Sequence, residues 1–240
     1  MPDIAICYWG ISRSTKQVYK SHYDKLFNVL NEAGMTYDTY FHTWDVKVNI
    51  IWNDISHVPP DPEEYKLLNP TEYIKDNQDE FLGSLTFSDY FHQDAWNRYG
   101  DTRAPGGEWP PQLIRNHLCA LESLKRVTKM AVASNKAYKF IVYVRPDVEL
   151  NGVFPVSIFS KLGSRDIAIP NFDHGEGYND RGAVMRFEDC GFYAYRLDEI
   201  KEFRRYCGRI VSEKYMKYIV DKYYKFIPLE FRFDIIRPKA

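Results

Sequence analysis

Three short loops carry residue types that do chemistry. Gly10-Ile11-Ser12-Arg13 joins a glycine, a hydroxyl and a guanidinium. That set suits a phosphate or nucleotide, since glycine lets the backbone approach closely and a guanidinium forks onto phosphate oxygens. The loop is neither a P-loop nor a G-x-G-x-x-G turn, and a glycine turn beside a surface arginine would use the same residues. In Arg145-Pro146-Asp147, proline holds the arginine extended, so Arg145 and Asp147 can face one side. The carboxylate could take Mg²⁺ or Mn²⁺ together with phosphate oxygens and water, or it could pin a turn by pairing with the arginine. The third loop runs Gly175-Glu176-Gly177-Tyr178-Asn179-Asp180-Arg181. Its groups suit sugar hydroxyls or proton abstraction, and equally an Asn-Asp turn.

These loops matter because ligands in an open α/β sheet lie beyond the carboxyl ends of strands. Residues 4–8 are continuously apolar and read as a covered strand running into Gly10. Ser14 or Thr15 caps a helix marked by Val18, His22, Leu26, Val29 and Ala33, and Gly34 stops it. A strand over 36–43, alternating Tyr and Phe with polar residues, completes a βαβ pattern ending at Trp44-Asp45. From 49 to 107 the periodicity fades into an aromatic-rich insertion expected over one sheet face, with short helices near 62–68 and 70–79. Pro110 and Pro111 open a long helix carrying Leu113, His117, Ala120, Leu124, Val127 and Ala131 on one side. It leads to a buried strand over 138–145. A short strand over 166–169, a polar loop over 171–181, two helices over 198–226 and an edge strand within 229–238 complete the reading. The fold class is α/β, a mostly parallel, Rossmann-like sheet flanked by helices, in one domain over 1–240.

Composition narrows the function. With 240 residues, 45 % of them hydrophobic and 16 % aromatic, the chain can bury a large core, so it is neither disordered nor fibrous. The 32 Lys and Arg nearly cancel the 33 Asp and Glu, leaving no general basic field for nucleic acid or an anionic membrane. Four cysteines without a C-x-x-C pair predict free thiols in a reducing compartment. No apolar run approaches the roughly 18–20 residues that span a bilayer, so a cytoplasmic protein without a transmembrane segment is expected.

In sequence order, Ala5-Ile6-Cys7-Tyr8-Trp9-Gly10 with Arg13, Tyr37-Asp38 with Tyr40-Phe41-His42-Thr43-Trp44, then Gln112, Tyr143-Val144-Arg145-Pro146-Asp147 and Gly177-Tyr178-Asn179-Asp180-Arg181 form one pattern. It resembles the small nucleotide-sugar glycosyltransferases of the GT-A fold that occur in bacterial surface-polysaccharide clusters and in large DNA viruses, algal ones included. The resemblance spans roughly residues 4–195, and its specificity lies in order and spacing. It implies a nucleoside diphosphate sugar donor and a glycan acceptor. Where such enzymes carry D-x-D, Arg145 stands at the first position, which leaves Asp147 as the implied ligand of Mn²⁺ or Mg²⁺.

Gly10, Arg13, Thr43, Trp44, Asp45, Arg145 and Asp147 are the implied donor site, with Trp44 stacking and Asp45 hydrogen bonding to base or ribose. Trp96, Tyr99 and Trp109, near Arg98, Asp101 and Glu108, offer an aromatic platform for an acceptor sugar, joined by Tyr178, Asn179 and Arg181; packing within the insertion is the alternative role. Asp180 is the expected base of an inverting transfer, ahead of Asp173, Glu176 and Asp189. Two competing readings are a non-catalytic carbohydrate- or nucleotide-binding module and a nucleotidyltransferase.

Overall fold

A computed structural model describes residues 2–46, 49–51, 54–56, 60–61, 63–100 and 108–237. Asp101, Pro62 and Pro238 lie outside the described residues. Strands are β1 (Ile4–Trp9), β2 (Tyr37–Asp45), β3 (Asn49–Ile51), β4 (Asp54–Ser56), β5 (Glu72–Asn77), β6 (Phe140–Val144), β7 (Val148–Leu150), β8 (Asp166–Pro170), β9 (Gly182–Arg186), β10 (Lys225–Leu229) and β11 (Phe233–Ile235). Helices are α1 (Thr15–His22), α2 (Asn28–Glu32), α3 (Gln78–Gly83), α4 (Gln93–Tyr99), α5 (Pro111–Ala133), α6 (Cys190–Ala194), α7 (Ile200–Cys207) and α8 (Ser212–Tyr223).

Seven strands form one sheet in the order β10-β8-β9-β6-β1-β2-β5. Every neighbouring pair is parallel except those of β9, which runs antiparallel to β6 and β8. The chain steps outward from β1 to β2 to β5, then returns along α5 to place β6 on the other side of β1. The strand order therefore reverses between β1 and β6, and that reversal opens a crevice beyond their carboxyl ends.

The alternation of β1 divides the core. Ile4, Ile6 and Tyr8 pack with Leu26, Phe27, Leu30 and Phe41 on one face; Ala5, Cys7 and Trp9 pack with Leu118, Leu121 and Leu124 of α5 on the other. Both faces are thus covered, which explains the unbroken apolar run. β2, whose Tyr and Phe alternate with polar residues, is nevertheless buried from Thr39 to Trp44 for the same reason. α5 starts with Pro111 in its first turn and buries a stripe from Ile114 to Ala131. The first helix is not regular throughout: a π-helical turn, Tyr23–Phe27, separates α1 from α2.

The segment 49–107 does more than cover a face. Within the stretch expected as a helix near 70–79 it supplies β5, an edge strand paired with β2, before α3 begins. Glu72, Lys75 and Asp76 suit an edge because charged side chains deter pairing with another chain, and those same residues hide the strand pattern. Near 62–68 the element is a 3₁₀ turn, Glu64–Leu68. Helices α7 and α8 fill the expected region, but α8 ends at Tyr223 and residues 225–229 form β10. β11 pairs antiparallel with β7 just past the end of β6. Cys7, Cys119 and Cys190 are buried free thiols. No helix among the described residues is long and apolar enough to cross a membrane.

Candidate functional site

Beyond the carboxyl ends of β1 and β6 lies a cavity of about 280 Å³. Gly10 opens it with φ of +100°, a conformation that side chains resist, although a Cβ there would meet nothing within 4 Å. Its N–H donates to Ser123 Oγ at 2.8 Å, and that hydroxyl lies 2.7 Å from His42 Nδ1. His42 Nε2 faces Asp76 at 3.1 Å, and Arg126 also holds that carboxylate. Burial pushes His42 down to about 4 in spite of Asp76, so the contact is a neutral N–H donating to a carboxylate. Nδ1 is then the acceptor for Ser123, and the relay fixes the turn at Gly10 from three separate elements.

Asp147 sits beneath the cavity, wholly buried. Arg13 donates Nε and Nη2 to its Oδ2 at 3.2 and 2.9 Å; Arg145 donates Nε to Oδ1 at 2.8 Å and Nη2 to Oδ2 at 2.6 Å. Arg237 Nη1 stands 3.9 Å from Oδ2. Burial alone would raise this carboxyl, but Arg145 and Arg13 hold it well below the usual carboxylate range. The donor set does not fit a divalent cation. Both carboxylate oxygens are engaged by guanidinium N–H groups, and no cluster of three His, Cys, Asp or Glu that could hold a metal occurs among the described residues. In this structure Asp147 anchors arginines, and its pairing with Arg145 is the turn-pinning arrangement that the Arg-Pro-Asp sequence also allowed. Arg237, which the sequence reading missed, is delivered by the tail: Ile236 N–H donates to the Asp147 carbonyl at 2.9 Å, and Ser14 Oγ donates to the Ile236 carbonyl at 2.7 Å.

The third loop brings Asp180 and Arg181 to the cavity wall. Gly177 explains how. A Cβ there would fall 2.0 Å from the carbonyl oxygen of Glu213, so only glycine lets the loop lie on the first turn of α8, where Tyr178 N–H donates to the same oxygen at 3.0 Å. That contact also sets Glu213, a second missed residue, on the cavity wall. Burial, then the Asp180 charge, pushes the Glu213 carboxyl above its usual value. The Asp180 side chain makes no hydrogen bond or ion pair among the described residues. His117, which also lines the cavity, is pulled down to about 4 by burial against the opposing pull of Asp180. The sequence signal for Glu213 was the Ser-Glu start of a helix; nothing local pointed to Arg237.

Of the expected site residues, Gly10, Arg13, Arg145, Trp44, Trp109, Asp180 and Arg181 line the cavity. Trp44 is a buried wall and not an open stacking platform: it stacks on Phe81 at 5.5 Å, lies under Arg126 and donates its indole N–H to the Cys119 carbonyl at 3.0 Å. Thr43 is buried and Asp45 exposed, both off the cavity. Trp96 packs against Phe91, and Glu108 pairs with buried Arg204, so of the expected aromatic platform Trp109 alone reaches the cavity. Tyr178 stacks on Phe226 at 4.7 Å, while Asn179 binds the Phe172 carbonyl and the Arg181 N–H; both shape the loop and do not line the cavity. Among the alternative carboxylates, Asp173 pairs with Arg181, Glu176 with Arg209, and buried Asp189 accepts from the Arg165 N–H.

No described protein family and no curated protein matches the sequence. Among solved structures, two crystal structures of the glycosyltransferase GlyE from Streptococcus pneumoniae TIGR4, one of them the apo form, align at 10 % identity with a TM-score of 0.43. Each alignment covers 95 % of this chain and 45 % of the solved chain, so the present chain spans less than half the length of those proteins.

Proposed function

We propose that the protein transfers a sugar from a nucleoside diphosphate sugar to a hydroxyl of a glycan, with inversion, on a GT-A-like scaffold. One observation carries the reading: guanidiniums of Arg13, Arg145, Arg181 and Arg237 share a single crevice with the Asp180 carboxylate, at the sheet's switch point. Guanidiniums suit an anionic leaving group, and a carboxylate that makes no hydrogen bond or ion pair among the described residues suits a proton acceptor. In this reading the acceptor hydroxyl attacks the anomeric carbon and passes its proton to Asp180. The bond from that carbon to the diphosphate oxygen breaks, and the arginines receive the charge. Trp109 offers a ring face to the acceptor sugar.

The test is release of nucleoside diphosphate from a panel of nucleotide sugars, with and without simple glycan acceptors. Turnover of one donor that disappears in Asp180→Asn supports the proposal. Tight donor binding without turnover would favour a non-catalytic binding module, and release of pyrophosphate from a nucleoside triphosphate would favour a nucleotidyltransferase.

A further inference from the structure

Three guanidiniums, Arg13, Arg145 and Arg237, converge on the one buried carboxylate of Asp147. Arginine stays protonated and Asp147 is held ionised, so the cluster carries an excess of two positive charges, the same charge that a divalent cation would bring to a diphosphate. Asp147 takes two N–H groups from Arg145 out of the five a guanidinium offers, which leaves donors for a ligand, and all three arginines line the cavity. A metal ion, by contrast, would have to strip those N–H groups from the carboxylate and sit among three cations.

Arg237 is the responsive member. Its side chain is 45 % exposed, and the two contacts that seat it are made by the backbone of Ile236, so the guanidinium is presented at the rim and not packed in the core. Burial and the neighbouring Arg13 charge lower it to about 10, a repulsion that a bound anion would relieve.

Resting on the reading of this cavity as a diphosphate site, we propose that Arg13, Arg145 and Arg237, organised by Asp147, grip the diphosphate in place of a divalent cation. Asp147 is then a positioning residue that never touches the ligand, and Arg237 is a binding residue brought in by the C-terminal strand.

Calorimetry with inorganic pyrophosphate and with a set of nucleoside diphosphates, each in EDTA and in Mn²⁺, tests this on the full chain. The expected result is pyrophosphate binding in EDTA that Mn²⁺ does not tighten, weakened about 10- to 100-fold by Arg237→Ala, with Arg237→Lys retaining part of the affinity. An unchanged melting temperature in both variants assigns the loss to the ligand contact. Binding that requires Mn²⁺, equal affinity in folded Arg237→Ala, or no pyrophosphate binding in either buffer overturns the inference. Pyrophosphate bound in EDTA with no nucleoside diphosphate bound in any buffer would preserve the arginine cluster and refute the nucleotide-sugar reading. Nucleoside diphosphates bound only with Mn²⁺ would do the reverse.

Discussion

The backbone N–H of Gly10 donates to the hydroxyl of Ser123 at 2.8 Å, joining residues 113 positions apart. A single side chain on α5 therefore sets the turn that opens the cavity, and through His42 it links that turn to the ends of β2 and β5.

Ser123→Ala leaves the Gly10 N–H and His42 Nδ1 without their partner in a buried setting. The expected cost is about 1–3 kcal/mol of stability, read from urea unfolding, together with weaker donor binding. Unchanged stability and affinity would show that the turn holds without the relay.

For Asp180→Asn, nearly isosteric, turnover is expected to fall about 10²- to 10⁴-fold while donor affinity changes little, as for the loss of a general base. Near-normal turnover in the folded variant would remove Asp180 from that role and direct attention to Glu213, which shares the cavity wall.

Two glycines separate space from conformation. At Gly177 an added Cβ meets backbone atoms of Glu213 at 2.0 and 2.5 Å, so Gly177→Ala should cost about 3 kcal/mol or more and carry Asp180 out of place. At Gly10 the space is open and φ alone opposes, so Gly10→Ala should cost about 1–2 kcal/mol. Equal unfolding midpoints for the two variants would contradict this ordering.

Acid sensitivity follows from three histidines. Burial pushes His22, His42 and His117 from 6.5 to about 4, so each is neutral in the fold while the unfolded chain takes up protons first. The stability they contribute is complete above pH 6.5 and is lost as pH falls through 4, about 2–3 kcal/mol per histidine at pH 4.5. Glu213, raised in the fold, works in the opposite sense. Urea midpoints at pH 7.5 and 4.5 read the difference, and a flat profile would mean that the imidazoles reach water.

Some of this architecture is plain in the sequence and some is hidden for physical reasons. β1, β6 and α5 are legible because each is covered along an unbroken or helically spaced apolar surface, and Gly10, Arg13, Arg145 and Asp180 follow from the loops that those strands and the third glycine loop define. β5 is obscured because an edge strand selects Lys and Asp, and β9 because Gly-Ala-Val-Met is brief and sits directly after a polar loop. For Asp147 the pairing with Arg145 was legible two residues away, but the convergence of Arg13 and Arg237 on it was not, since they lie on other segments. Trp44 carried an aromatic signal that core packing consumed. Glu213 and Arg237 reach the cavity only through tertiary contacts at Gly177 and Ile236.

The pairing of the tail with the Asp147 turn also has a consequence in time. Ile236 grips residues 14 and 147, so the cationic wall is assembled from segments that leave the ribosome far apart. Such distant contacts close late. β1, β2 and β6 can pair while translation continues, but the third arginine arrives only after residue 237 has emerged. A nascent chain stalled before that point would carry most of its sheet and an unfinished arginine cluster, so under the proposal above pyrophosphate binding would report that the tail has docked.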